Sequence, residues 1–178
     1  MKRTVILILI PLVAVAALWA LVRFIRMDSL SFAWVLNFLL MLLVMAFTET
    51  LRGPFTSPYY NAKQWERGGK VYEALGVNVF RKLLVLVGWE KLNKKSNPVE
   101  KGAEALAKLH NQTKKSELGH IIILFIVAGF NVFVAFRFGV LHSMWLLVLN
   151  ILFNFYPIVL QRYNRPRIQR ALSLSKRG

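Results

Sequence analysis

Two short clusters carry residues able to do chemistry: Glu117-x-x-His120, and Gln161-Arg162-Tyr163-Asn164-Arg165-Pro166-Arg167. Residues three apart share a face of a helix, so Glu117 stands one turn before His120 and its carboxylate can orient the imidazole. Histidine changes charge near neutral pH, and one oriented in this way suits a general base that takes a proton from a hydroxyl. The plainer reading is a surface pair, Glu117 with His120 or with Lys114. The second cluster lies where the apolar run 140–160 meets water. Its arginines offer planar forks to phosphates, and Tyr163 and Asn164 add hydrogen-bonding edges that a simple anchor does not need. A basic run after an apolar helix is also the ordinary topology signal, so charge alone leaves both readings open.

Polar residues inside the apolar runs are the other candidates. Ser143, Asn150, Asn154 and Gln161 follow one another at seven, four and seven residues, one helical stripe that cannot comfortably face lipid and must face protein or a cavity. Glu117, His120 and Asn131 fall near one face of the third run, and Asn37 and Thr48 are eleven apart in the second. Interhelical hydrogen bonding is the simplest use for such residues, at ~0.6 kcal/mol per pair. A zinc site is the weaker alternative, because His110 and His142 are far along the chain or on the opposite membrane face, and Glu-x-x-His alone is no metal motif.

The elements that position these residues follow from composition. Hydrophobic residues make up 56% of the 178 while the formal charge is +16, so apolar and basic residues must be segregated along the chain. They are: runs at about 4–24, 30–47, 120–137 and 140–160 are each close to the roughly 20 residues that cross ~30 Å of hydrocarbon. The expected fold is an all-α integral membrane protein, one membrane domain of four transmembrane helices with a helical insertion at 48–119 and a basic tail at 161–178. Ala14-Val15-Ala16 resembles a cleavage box, but the apolar run continues to Phe24, which favours a retained first helix. There is no cysteine, so disulfides, thiolate catalysis and thiolate metal sites are excluded.

Basic residues crowd the insertion, from Arg52 to Lys115, and the tail, from Arg162 to Arg177, whereas the other side receives only Arg23, Arg26 and Arg137. The positive-inside rule then places both termini and the insertion in the cytoplasm, in a cell (inner) membrane protein whose basic face suits anionic lipid or a phosphate-bearing cofactor. No nucleic-acid fold signature accompanies the charge, so nucleic acid is not an expected partner. Within the insertion, 65–75 is expected as a short helix, 80–89 as a segment in the membrane interface, and Asn97 with Pro98 and Glu100 as the start of a surface helix carrying Val99, Ala103, Leu106 and Leu109 on one face. Pro166 is expected to end the last helix and turn Arg165 and Arg167 toward the membrane mouth.

The 161–167 cluster resembles the C-terminal signature of the glycosyl-4,4'-diaponeurosporenoate acyltransferase family, membrane proteins that place a fatty acyl chain on the sugar of a glycosylated carotenoid acid. Thr113-Lys114-Lys115-Ser116-Glu117-Leu118-Gly119-His120 is similar to the family's basic helix entering a span, and Trp65-Glu66-Arg67-Gly68-Gly69-Lys70-Val71-Tyr72 with Phe80-Arg81-Lys82 to its upstream block. The resemblance covers about 54–167. It implies an O-acyltransferase with no bound cofactor or metal, a fatty acyl thioester donor (acyl-CoA or acyl carrier protein) and a lipid-linked glycoside acceptor in membrane lipid. With it, His120 is the expected base and Glu117 its orienter, while Asn154 and Gln161 hold the acceptor or the developing oxyanion. Arg162, Asn164 and Arg165 are expected to grip donor phosphates or the sugar, and Trp65 and Tyr72 to join the substrate-binding set. No residue is an obvious covalent nucleophile, which favours direct transfer. The rivals are a lipid-binding scaffold, and a reductase or methyltransferase with a phosphate-bearing cofactor, for which no glycine-rich nucleotide loop is present.

Overall fold

The computed structural model describes residues 2–51, 55–88 and 102–175, and every regular element among them is helical. Helix α1 is Lys2–Phe24 and α2 is Leu30–Thr50; tight turns at Pro58–Tyr60 and Gln64–Gly69 lead to α3, Lys70–Ala74, and α4, Val77–Leu86. Helix α5 is Ala103–Phe138, α6 is Val140–Asn150, a wider π-type turn occupies Ile151–Phe155, and α7 is Tyr156–Ser175. Four helical stretches, Arg3–Phe24, Leu30–Thr50, Ala103–Phe138 and Val140–Ser175, are long and apolar enough to cross a membrane. The chain divides into two compact units, Met1–Gly53 with Leu118–Pro157, and Pro54–Glu117 with Ile158–Gly178.

The first unit is apolar. Ser29 starts α2 by accepting the Phe32 N–H at 3.1 Å, the ordinary cap for a helix whose first turn has no acidic residue. Ala33, Leu36, Leu40 and Val44 recur at three or four residues and bury one stripe of α2 against Ile123, Val127 and Val134 of α5 and Leu146 and Leu149 of α6. Gly119 lets α2 approach α5: a Cβ there would lie 3.6 Å from Val44 and 3.8 Å from Thr48. Large apolar side chains such as Val15, Trp19, Phe125, Phe136 and Leu141 point outward, a surface compatible with lipid. Helix α1 runs unbroken through Ala14-Val15-Ala16 with Pro11 inside it.

The second unit is polar by comparison. Its apolar centre is Tyr72, Val77, Val159 and Tyr163, with Leu160 packed beside them. The expected helix at 65–75 is interrupted, because Arg67 (φ 47°) and Gly68 (φ 65°) adopt the left-handed region before α3 begins. At Gly69 (φ 103°) a Cβ would also press on Arg167 at 3.2 Å, so glycine serves both backbone and packing. Helix α4 begins at Val77 rather than Phe80, and it exposes Val79, Val85 and Leu86 beside Arg81 and Lys82.

Two boundaries differ from the sequence expectation. The proposed cap Asn97-Pro98 lies outside the described residues; beyond them the surface helix and the third span are one helix, α5, since nothing between Ala103 and Phe138 breaks it. Pro166 does not end α7, which continues to Ser175. An interior proline costs about 3 kcal/mol through its missing N–H and its ring, and the anchoring of Arg162 and Arg165 just before it and of Arg167 just after it holds the helix through it.

Candidate functional site

In the first unit a polar network runs through the apolar core. Asn37 donates to the Ala33 carbonyl at 2.8 Å, and Asn150 donates across to the Leu124 carbonyl at 3.0 Å. Asn154 donates to Oδ1 of Asn37 at 2.7 Å and of Asn150 at 2.9 Å, and its own oxygen faces His120 Nδ1 at 3.4 Å. Asn154 sits in the π-type turn at Ile151–Phe155, an irregularity that often marks functional positions. The three amides are buried while the imidazole is half-buried. Asn131 donates separately to the Ser143 carbonyl at 2.7 Å, and Ser143 is buried, so the expectation that the polar stripe of the fourth run faces protein or a cavity holds for Ser143, Asn150 and Asn154.

In the second unit two carboxylates meet two guanidiniums. Glu117, with no exposed side-chain surface, accepts from Arg162 Nε at 2.6 Å and from the Tyr59 hydroxyl at 2.9 Å on one oxygen, and from Arg165 on the other. Arg162 also donates to Glu66 at 2.9 Å and to the Tyr59 carbonyl at 3.1 Å, and its guanidinium lies 4.4 Å over the Tyr59 ring. Glu66 receives the Tyr72 hydroxyl at 2.7 Å and the Lys63 backbone N–H at 3.0 Å. Arg165, 2% exposed, reaches Thr113 and the Tyr60 carbonyl, each at 3.4 Å, and lies 5.3 Å over the Tyr60 ring. Glu66, Glu117, Arg162 and Arg165 thus sum to zero charge in a closed set, the condition under which buried ions are tolerated. Burial first, and then the bond to Glu66, push the Tyr72 phenol well above its ordinary ionisation range; burial likewise raises Tyr59 and Tyr60.

The residues expected to act together therefore divide. His120 and Asn154 belong to the first unit, and Glu117, Gln161, Arg162, Asn164, Arg165, Trp65 and Tyr72 to the second. Glu117, expected to orient His120, has both oxygens engaged by guanidiniums, which attract a carboxylate more strongly than a neutral imidazole does; the group that orients His120 is the Asn154 amide. Lys114, the alternative surface partner of Glu117, donates to the Phe55 carbonyl at 2.8 Å. Arg162 and Arg165 are held by internal acceptors. Gln161 donates to Ser116 at 3.2 Å, Asn164 is part-buried with no hydrogen bond among the described residues, and Trp65 is 60% exposed with its ring 6.3 Å from that of Tyr72. Arg167 stacks 3.6 Å over Tyr163 and pairs with Glu73 at 3.3 Å.

Sequence reasoning did not single out Glu66, Tyr59, Tyr60 and Thr113 as members of the ion cluster. Glu66 had a usable signal: a carboxylate in a segment crowded with cations needs a partner if buried. Tyr59-Tyr60 after Pro58 carries no periodic pattern, so only the fold brings that pair beneath the arginines.

No curated protein and no solved structure matches the chain. A family profile does: that of glycosyl-4,4'-diaponeurosporenoate acyltransferase (CrtO) matches residues 56–174, which takes in the whole ion cluster, His120 and the asparagines of α6 and the π-type turn. By that match the chain belongs to the glycosyl-4,4'-diaponeurosporenoate acyltransferase family.

Proposed function

We propose that the protein is an integral membrane O-acyltransferase that moves a fatty acyl group from an acyl thioester to a hydroxyl of a lipid-linked glycoside, with His120 as general base. The observation that carries the reading is His120 itself: among the described residues it is the only titratable side chain in the buried polar network of the first unit, half-buried and held through Nδ1. In the reaction, His120 takes the hydroxyl proton as the oxygen attacks the thioester carbonyl. The carbonyl re-forms, the C–S bond breaks, and the imidazolium returns the proton to the leaving thiolate, giving ester and thiol. Direct transfer accords with a chain that has no cysteine.

The second unit supplies rigidity and charge in this reading. Arg162 and Arg165 lock α7 to the turns that carry Tyr59 and Glu66, leaving exposed cations such as Lys70, Arg81, Lys82 and Arg170 to meet the phosphates of acyl-CoA or the acidic surface of acyl carrier protein. Trp65, Asn164 and Gln161 remain the proposed contributors to substrate binding on this side, with the enclosed Tyr72 contributing only as the ring beside Trp65. Helix α4, with Val79, Val85 and Leu86 exposed beside Arg81 and Lys82, lies in the membrane interface. Both termini and the residues between α2 and α5 are cytoplasmic, in the cell membrane.

The test is transfer of labelled acyl chain from acyl-CoA, or from acyl carrier protein, to a glycolipid by the purified protein in liposomes. Wild-type protein should label the glycolipid, and His120→Ala should lower the rate about 10²–10⁴-fold with folding intact. Absence of transfer from either donor by folded wild-type protein, or full rate in His120→Ala, would overturn the assignment.

A further inference from the structure

Two backbone carbonyls set the direction of every amide in the first unit's polar network. A carbonyl oxygen only accepts, so the Ala33 carbonyl at 2.8 Å fixes the NH2 of Asn37 toward itself, and the Leu124 carbonyl at 3.0 Å does the same for Asn150. The oxygens of both amides are thereby available to Asn154, whose NH2 lies 2.7 and 2.9 Å from them. With its two N–H bonds given to these acceptors, Asn154 has only its oxygen left for His120 Nδ1 at 3.4 Å. Turning Asn37 or Asn150 over would set NH2 against NH2 and oxygen against oxygen, and turning Asn154 over would set its oxygen against both of theirs, in a buried place where unmatched polar groups are costly.

We infer that Asn37, Asn150 and Asn154 are positioning residues that hold neutral His120 as its Nδ1–H tautomer, leaving the lone pair on Nε2. A neutral imidazole carries one proton, and an acceptor facing Nδ1 places it there. The catalytic consequence rests on the proposed role of His120: Nε2 is then the atom that takes the hydroxyl proton. Asn37 and Asn150 do this without touching the ring; they act by allowing Asn154 one orientation only.

The tautomer can be read without any assay of activity. Full-length protein labelled with 15N,13C-histidine is placed in lipid nanodiscs above the ordinary histidine titration range, and imidazole nitrogens are assigned by NMR, with His120→Gln identifying the relevant signals among the three histidines. Wild-type His120 should show a protonated Nδ1 and an unprotonated Nε2. In the Asn37→Leu/Asn150→Leu double variant the Asn154 amide is released, so the Nε2–H form should appear, and kcat should fall about tenfold at unchanged KM. A second variant guards against misfolding of the double one: Asn154→Leu removes the acceptor facing Nδ1 while leaving Asn37 and Asn150 in place, and should bring up the Nε2–H form as well. A proton on wild-type Nε2, or a tautomer indifferent to both variants, overturns the inference while leaving acyl transfer untouched. The expected spectra with unchanged kcat uphold the tautomer and overturn His120 as the base.

Discussion

Glu117 and Arg162 meet at 2.6 Å, carboxylate oxygen to guanidinium Nε, with the glutamate side chain wholly enclosed and the arginine 11% exposed. The other carboxylate oxygen binds Arg165, so one acidic residue of α5 holds two cations of α7 that stand three residues apart on one face. The relationship is one of stability before chemistry.

Glu117→Gln should therefore be a folding variant. Removing one partner of a buried ion pair typically costs about 3–5 kcal/mol because the other charge stays behind, and here two guanidiniums would remain opposite a neutral amide. Its thermal unfolding midpoint in detergent should fall well below that of His120→Ala, whose neutral hydrogen bond at 3.4 Å is a weak one. Equal midpoints for the two variants would contradict the buried ion pair.

Arg162→Lys and Arg165→Lys test the fork at constant charge. Arg162 serves Glu117, Glu66 and the Tyr59 carbonyl at once, and a single ammonium on a flexible stem cannot reproduce that geometry. Both variants should keep wild-type topology, unfold at lower temperature and lose about tenfold in kcat/KM, ~1.4 kcal/mol in transition-state stabilisation. Wild-type midpoints and kinetics from both would reduce the segment to a topology signal.

The sequence made the spans and their polar stripe legible because both rest on periodicity: apolar runs of spanning length, and Ser143, Asn150 and Asn154 at helical spacing, are buried as expected. Partner choice was not legible. Glu117 and His120 are neighbours on paper, yet a carboxylate among cations goes to guanidinium, and those guanidiniums come from α7, 45 and 48 residues later. Pro166 misled for a related reason: propensity argues for a helix end, whereas the ion pairs of Arg162 and Arg165 before it and of Arg167 after it, invisible in local sequence, hold the turn. The π-type turn that carries Asn154 likewise has no local signature.

Topology is open to direct measurement. The Lys/Arg bias predicts that the loop holding Asn61 and the C-terminus are cytoplasmic and that the loop holding Asp28 is on the far side. In intact cells, a cysteine-directed membrane-impermeant reagent should modify Asp28→Cys and leave Asn61→Cys unmodified, since the chain has no cysteine of its own. Modification of Asn61→Cys from outside would invert or abolish the four-span arrangement.

Alkaline pH should weaken the second unit. Tyr72 is held protonated by burial and then by its hydrogen bond to Glu66, well above its ordinary value of 10.0, and Tyr59 and Tyr60 shift in the same direction with burial as the largest cause. In the unfolded chain these phenols ionise near about pH 10. Below that pH both states keep their protons and the groups contribute no pH dependence; above it the unfolded chain has released protons that the folded chain retains, so stability falls as pH rises. Denaturation followed across this window in detergent should show that decline. Tyr72→Phe should make the decline shallower, because one shifted phenol is gone, while costing about 1 kcal/mol at neutral pH through the donor lost to Glu66. An unchanged alkaline slope in Tyr72→Phe would mean that this phenol ionises alike in the folded and unfolded chain, and that its hydroxyl is not enclosed against Glu66 in the working protein.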